Sequence, residues 1–542
     1  MSLSYRLSKN SVFINYYLER EIDMKNSRNF AISILVCLAF GFSNLSLAGE
    51  KVFRLPMSKP AGNLNPIAYK GLWVVQDMVF EGLVKYTRGG VLEPVLAKSW
   101  KLSNQGKTIT FKLRENVFFT DGTPWNAEVM TWNLDRWIDE RPGSWLQLHQ
   151  QFDRFEIVDP MTVSIHLKNK IQVWLIELSY IRPVRFMSPK AVDADGKYTK
   201  PVGTGKWIVE SDSVAKTVLV RNENYWGKKP KIDKVELFVM PNQRSRGSAL
   251  QAGEIDASGG KFIAAVSPQQ AEILKNKPGI TVVSDVGTDT MVLGFNPRRE
   301  IFKDIRVREA VNVLISRQAI ATGLLRGYAK PTMNLYPEVI AYSGKRWPVP
   351  ARDVNKAKKL LADAGWIKNS DGVLSKNGKP FKIELVISED AVAGSRKLGE
   401  VLQYMLGEAG IVLSLRNVDH AARHGEIPKF KYDLSLFMSN GAPYDPFNTI
   451  TMMFPTEKKP GTDGKMYESK ELDPLIWAAA RADEPDRVRL FQKVWDWMYE
   501  NHAIAPLYHE ARIWAYNSEK VESFSIAPTE YEMPLEGLSL EH

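Results

Sequence analysis

Between Pro201 and Trp207 the chain reads Pro-Val-Gly-Thr-Gly-Lys-Trp, and from Arg221 it reads Arg-Asn-Glu-Asn-Tyr-Trp-Gly. By its letters, Gly203-Thr204-Gly205-Lys206 suggests a phosphate-binding loop, in which glycine N–H groups cradle an anion and a lysine adds charge. The spacing excludes that chemistry. A phosphate loop needs four residues between its glycines and a Ser or Thr after the lysine to hold magnesium, whereas one residue separates these glycines and Trp207 follows. The residues predict a tight turn that delivers Trp207-Ile208-Val209 into a strand. A second strand, Thr217-Val218-Leu219-Val220, follows and ends toward the aromatic pair Tyr225 and Trp226.

Residues 24–48 read as a secretory signal. Met24, Lys25 and Arg28 make a basic start, Phe30 to Phe42 is apolar, and Ser46-Leu47-Ala48 is a small-residue cleavage site. The apolar part is shorter than the roughly 20 residues a membrane-spanning helix needs. The mature chain is therefore expected to begin at Gly49, with residues 1–23 an extension from a misassigned start. The only cysteine, Cys37, lies within this signal, so the exported chain is expected to hold neither a disulfide nor a thiolate. Formal charge is +10, and removing residues 1–48 leaves about +8, a modest excess. Lys and Arg are dispersed along the chain, which does not indicate a nucleic-acid footprint.

About 500 residues exceed what one core supports, so at least two domains are expected. No fixed-period repeat or low-complexity linker appears. Lys107 to Leu113 and Thr162 to Leu167 alternate polar and apolar residues, the pattern of half-buried strands. Val307 to Arg326 has helical spacing, Asp353 caps a helix that ends at Gly365, and Asp486 to Asn501 places Val488, Phe491, Val494, Trp495 and Met498 on one face. The mixture predicts an α/β fold.

With Pro230-Lys231-Ile232-Asp233 and Ala252-Gly253-Glu254-Ile255-Asp256 after it, the glycine-turn segment resembles the family 5 extracellular solute-binding proteins of ABC importers. The resemblance extends over essentially all of the mature chain. It implies the two-lobe periplasmic binding protein fold of type II, with mixed sheets and a hinge of two strands. Lobe one would be residues 49–288 plus 511–542, with 97–200 the extra subdomain of the family, and lobe two 289–510. The hinge strands would lie near Met291 to Asn296 and Ala511 to Trp514.

Tyr180-Ile181-Arg182-Pro183-Val184-Arg185-Phe186 and Asn440-Gly441-Ala442-Pro443-Tyr444-Asp445-Pro446 are similar to segments of the nickel-binding branch of that family. Peptide-binding members generally place an aspartate just before the aromatic, where it pairs with a free amino group; here Pro443 stands there. By this resemblance Arg182 would hold a carboxylate of a metal's chelator through its bidentate fork. Arg185 reads as structural, and Arg141 falls one position from a second arginine of the branch. Tyr69, Trp73, Trp145 and Tyr444 would line the cleft, and Asn440 could donate to a carboxylate. The branch's metal-binding histidine has no counterpart in Thr451 to Glu457, which leaves His509 as the candidate metal ligand.

His420 and His424 have a metal-compatible spacing if their segment is helical. Arg423 beside them, Gly425 ending the element and no evident third ligand favour a solvated helix face. No Gly-x-Ser-x-Gly elbow, His-Glu-x-x-His helix or cysteine nucleophile occurs, so an enzyme is not indicated. Together with the expected signal, the resemblance implies a monomeric, soluble periplasmic protein that captures nickel, or a related transition metal, held by a small organic chelator such as histidine or an opine metallophore. It would close on its hinge and deliver the chelate to an inner-membrane ABC permease, with no permanent cofactor. A di- or oligopeptide binder of the same fold remains the alternative.

Overall fold

The strand pair expected after the glycine turn is present in a computed structural model. Trp207–Asp212 runs antiparallel to Lys216–Arg221, which pairs with Lys234–Val239, and that strand lies parallel to Val52–Met57. The structure describes residues 49–68, 70–140, 144, 146–456 and 466–541. The expected signal, its cysteine and the upstream extension lie outside them. Among the described residues, no helix is long and apolar enough to cross a membrane.

The glycines of the turn serve close approach. Gly205 N–H donates to the carbonyl of Val79 at 3.0 Å, at the end of the helix Trp73–Val79. A Cβ on Gly203 would lie 2.0 Å from that same carbonyl oxygen. The turn is thus pinned on the helix that begins with Trp73.

Thr108–Leu113 and Thr162–Leu167 form the centre of a four-stranded antiparallel sheet with Ala97–Ser103 and Phe152–Asp159 at its edges. The largest sheet has seven strands. Two long ones, Ile280–Phe295 and Ile504–Asn517, run antiparallel at its centre, flanked on one side by Ala257–Gly259 and Ala329–Pro331 and on the other by Leu434–Met438, Lys382–Ile387 and Val412–Asn417. Their pairing is regular up to Val286 opposite Ala511 and resumes with Thr290 opposite His509. Gly287, Thr288 and Asp289 therefore face Glu510 alone, a bulge of the kind that bends a strand. This bulge falls upstream of the Met291–Asn296 stretch expected to form the hinge, and a second register shift, between Met291 and Val292, falls within it.

Apolar side chains cluster by chain segment. One core draws on residues 53–264 together with Trp514, Val521, Met533 and Leu538, and another on residues 291–436 with Ala505, Leu507 and Tyr508. A third, around Tyr336, Phe447, Phe491 and Trp495, takes in Tyr86 and Val173 from the first part of the chain.

Two helix readings need correction. The span Val307 to Arg326 is a helix Ile305–Leu314, a break at Ile315, then the short turns Arg317–Ala319 and Ile320–Leu324. The break lets buried Arg317 return to the helix it leaves, donating to Asn312 O at 3.0 Å and Asn312 Oδ1 at 2.8 Å. This supplies acceptors for a charge with no water. In Asp486–Glu500, Phe491, Val494, Trp495 and Met498 are buried as expected, but Val488 is 58% exposed. Asp353 does cap Val354–Asp363, accepting from Lys356 N at 2.8 Å.

Candidate functional site

Trp73 opens its helix after a left-handed Gly71, so its indole projects from a fixed backbone. The guanidinium of Arg182 lies over that ring, 4.3 Å from its centroid, and Nη1 donates to Lys70 O at 3.0 Å. Arg182 is 5% exposed. Stacking on an indole holds a guanidinium in one plane at little entropic cost.

Four more aromatics extend from Trp73. Tyr531, from the C-terminal tail, stacks on it at 4.8 Å and 22°, and Phe262 stacks on Tyr531 at 4.9 Å and 24°. Tyr444 meets Tyr531 edge-on at 5.1 Å, and Tyr180 lies 4.3 Å from Tyr444. The Tyr531 hydroxyl donates to the carbonyl of Asn440 at 3.0 Å. Five stretches of chain thus meet at one point. Tyr180 and Tyr531 are buried, while Trp73, Phe262, Asn440 and Tyr444 keep part of their surface open.

Of the residues proposed from sequence, Arg182, Trp73, Tyr444 and Asn440 are brought together. Tyr69, Trp145 and Arg141 lie outside the described residues. The Asn440 side-chain amide donates to Asn448 Oδ1, which fixes its orientation. His509 sits elsewhere in register, on the strand Ile504–Asn517, 4% exposed, its Nδ1 2.8 Å from Thr290 Oγ1. Burial first, and then the cations Arg346 and Lys330, push its pKa down to about 3, so the ring is neutral. Among the described residues no set of three His, Cys, Asp or Glu side chains could hold a metal ion. Arg185 is paired with Asp77 at 2.9 Å and is 7% exposed, the structural position expected of it.

Phe262 and Tyr531 were not legible from sequence. Neither lies in a motif, and they become neighbours of Trp73 only through the fold. Equally hidden is a charged group at the bulge. Lys261 pairs with Asp289, and with Glu510, Arg512 and Glu530 they line a cavity of about 70 Å³. Burial, with Asp289 nearby, pushes Glu510 up to about 7. Thr288 ties this group to the aromatic site: its N–H donates to Glu530 Oε1 at 3.2 Å, and its Oγ1 accepts from Ala442 N at 3.1 Å.

A larger cavity, about 560 Å³, lies between Trp226 and tail residues 525–538. Charged groups in its walls answer one another: Lys85 meets Glu532 at 3.1 Å and Glu536 at 3.3 Å, and Arg185 meets Asp77. The aromatic group with Arg182 is the better candidate for a ligand, since an apolar wall with few oriented polar groups is what recognition of a small molecule requires.

Comparison with known proteins agrees with this architecture. The nickel-binding periplasmic protein of Escherichia coli (strain K12) is 29% identical over 522 residues, 94% of this chain and 98% of that protein. The glutathione-binding protein GsiB of the same strain is 27% identical over 471 residues, 84% and 87% of the two chains. Among solved structures, an ABC transporter substrate-binding protein from Sinorhizobium meliloti is 44% identical with a TM-score of 0.81, covering 91% of this chain and all, 100%, of that one. NikA from Brucella suis, in complex with Fe(III)-EDTA, is 28% identical with a TM-score of 0.84 and the same coverage, 91% and 100%. The model of the bacterial extracellular solute-binding proteins, family 5, matches residues 91–461. This chain therefore belongs to the family 5 extracellular solute-binding proteins, which bind solutes for ABC transporters and are not enzymes.

Proposed function

We propose that this protein is the periplasmic component of an ABC importer that captures a small anionic metal chelate, nickel held by an organic chelator. The observation that carries the reading is Arg182, a buried guanidinium held over the Trp73 ring within an aromatic group. A fixed planar fork suits a carboxylate of the chelator, and the rings of Trp73, Tyr444, Tyr531 and Phe262 shield the complex. The chelator supplies the metal's ligands in this reading, and His509, engaged with Thr290, is not required. Residues 49–288 with 511–542 and residues 289–510 act as the two lobes. The bulge at Gly287–Asp289 opposite Glu510 is the place where they bend. Relatives that bind nickel, and one crystallised with a ferric aminocarboxylate, support the ligand class.

Calorimetry with nickel–histidine and ferric EDTA tests it. Arg182→Ala is expected to weaken chelate binding at least about tenfold, the loss of one charge-assisted bond. Unchanged affinity removes Arg182 from the site. The glutathione-binding relative supports a second reading, a peptide ligand. If glutathione or dipeptides raise the melting temperature and chelates do not, the peptide reading replaces the first.

A further inference from the structure

His420 and His424 stand one turn apart on the helix His420–Glu426, both exposed. Their Nε2 atoms are 3.1 Å apart and their ring centroids 4.3 Å apart. Two of the reasons for reading this as an ordinary solvated face do not hold in the fold. The helix continues through Gly425 to Glu426. Arg423 turns away: Nη2 donates to Leu436 O at 2.8 Å, and the guanidinium lies 5.5 Å from the Phe437 ring centroid. Glu426 is likewise taken up by Arg416 at 2.8 Å, and Asp419 by capping Ala422 N at 2.7 Å.

We propose that His420 and His424 form a surface site for a borderline divalent transition-metal ion, Ni²⁺, Cu²⁺ or Zn²⁺, with the two Nε2 atoms as adjacent ligands and water in the remaining positions. With metal–imidazole bonds of about 2.0–2.1 Å, adjacent ligands lie about 2.9 Å apart at a right angle and about 3.4 Å apart in a tetrahedron. The observed 3.1 Å falls between these values. Without a metal, one imidazole can donate to the other at this distance; to take up an ion that ring adopts its other tautomer, so that both Nε2 lone pairs are available. Imidazole donors select these ions over Mg²⁺ and Ca²⁺, which prefer oxygen. With two protein ligands and no third among the described residues, binding is weak and exchangeable. The site takes the ion itself, and it is independent of the chelate pocket around Arg182.

The test is calorimetric titration of the ligand-free full chain with NiCl₂ in the absence of chelator. One weak site is expected in the wild type and in Arg182→Ala, weakened at least about tenfold in His420→Ala and in His424→Ala. Both side chains are exposed, so both variants should melt with the wild type, which is measured alongside. With Cu²⁺ in place of nickel, electron paramagnetic resonance should report two imidazole nitrogens, reduced to one in either variant. Identical isotherms in the wild type and both histidine variants would overturn the proposal, as would absence of binding by Ni²⁺ and Cu²⁺ to the wild type. Failure of Arg182→Ala to weaken chelate binding leaves this site untouched, so the two readings fall separately.

Discussion

The carboxylate of Glu81 accepts three hydrogen bonds: from Thr204 Oγ1 at 2.9 Å, Tyr225 OH at 2.8 Å and Trp226 Nε1 at 2.9 Å. These three donors come from the two stretches that stand out in the sequence, the glycine turn and the Asn-Glu-Asn-Tyr-Trp-Gly run. The pattern was legible and its purpose was not, because Glu81 lies more than a hundred positions earlier and no spacing rule links them. Burial raises the Glu81 pKa against the pull of the three donors, so the site needs an acceptor more than it needs a charge. Glu81→Ala is expected to cost about 3 kcal/mol by leaving buried donors unpaired, while Glu81→Gln, which keeps one carbonyl for Thr204 and Trp226, should lose about 1 kcal/mol or less. Chemical denaturation of the two variants checks the contrast. Equal losses would show that the donors are served elsewhere. Arg182 and Arg185 show a milder form of this limit: the resemblance already read Arg185 as structural, but the partners that distinguish the two, the Trp73 ring and the Asp77 carboxylate, come only from the fold.

Elements were read best where one periodicity governs. The strands at 108–113 and 162–167 and the Asp353-capped helix follow directly from alternation or capping, and the strand at 207–212 from the glycine turn before it. The helix expected at 307–326 failed because the pull of one side chain, Arg317 toward Asn312 and Pro506, breaks a run whose apolar spacing continues through the break. The glycine turn was placed correctly, but its glycines are required by contact with Val79 and not by a left-handed backbone. Gly203→Ala would put a Cβ 2.0 Å from a carbonyl oxygen of the helix Trp73–Val79, and backbone cannot yield as a side chain can. A loss of about 3 kcal/mol or more is expected, in the range of the severe packing mutations. Gly407 is the control: it ends the helix Ser395–Gly407 and nothing lies within 4 Å of its added Cβ, so Gly407→Ala should be neutral or slightly stabilising. Thermal melts of both variants decide the matter, and a Gly203→Ala protein as stable as the wild type would disprove the contact argument.

At the scale of the whole molecule, length and alternating elements indicated more than one part, the two-lobe topology came only from the resemblance, and the sheet order was not legible at all, since long-range pairing leaves no local trace. Nor did the sequence mark which acids would be buried. Burial pushes Glu177, Asp445 and Glu510 each up to about 7, from ordinary values of 4.5, 3.8 and 4.5. Asp445 keeps its place by accepting from Gly441 N at 2.7 Å and Thr449 Oγ1 at 2.5 Å. Between the ordinary range and about 7 the folded chain holds these protons while the unfolded chain has released them. Their contribution to stability is therefore complete below the unfolded values and is lost as pH rises through 7. His509 acts in the opposite sense: the unfolded chain takes its proton below 6.5 and the folded chain refuses it until about 3, so stability is lost as pH falls through that window. Three carboxylates outweigh this imidazole between pH 5 and 7, approximately the range where the two effects overlap. The melting temperature is expected to be higher at about pH 5.5 than at about pH 7.5, with a shallower dependence in Asp445→Asn, whose amide has no proton to release in this range. Melting curves of the two proteins across that range test it, and the same slope in both would mean that Asp445 stays ionised in the fold, held by Gly441 and Thr449 more strongly than burial opposes it.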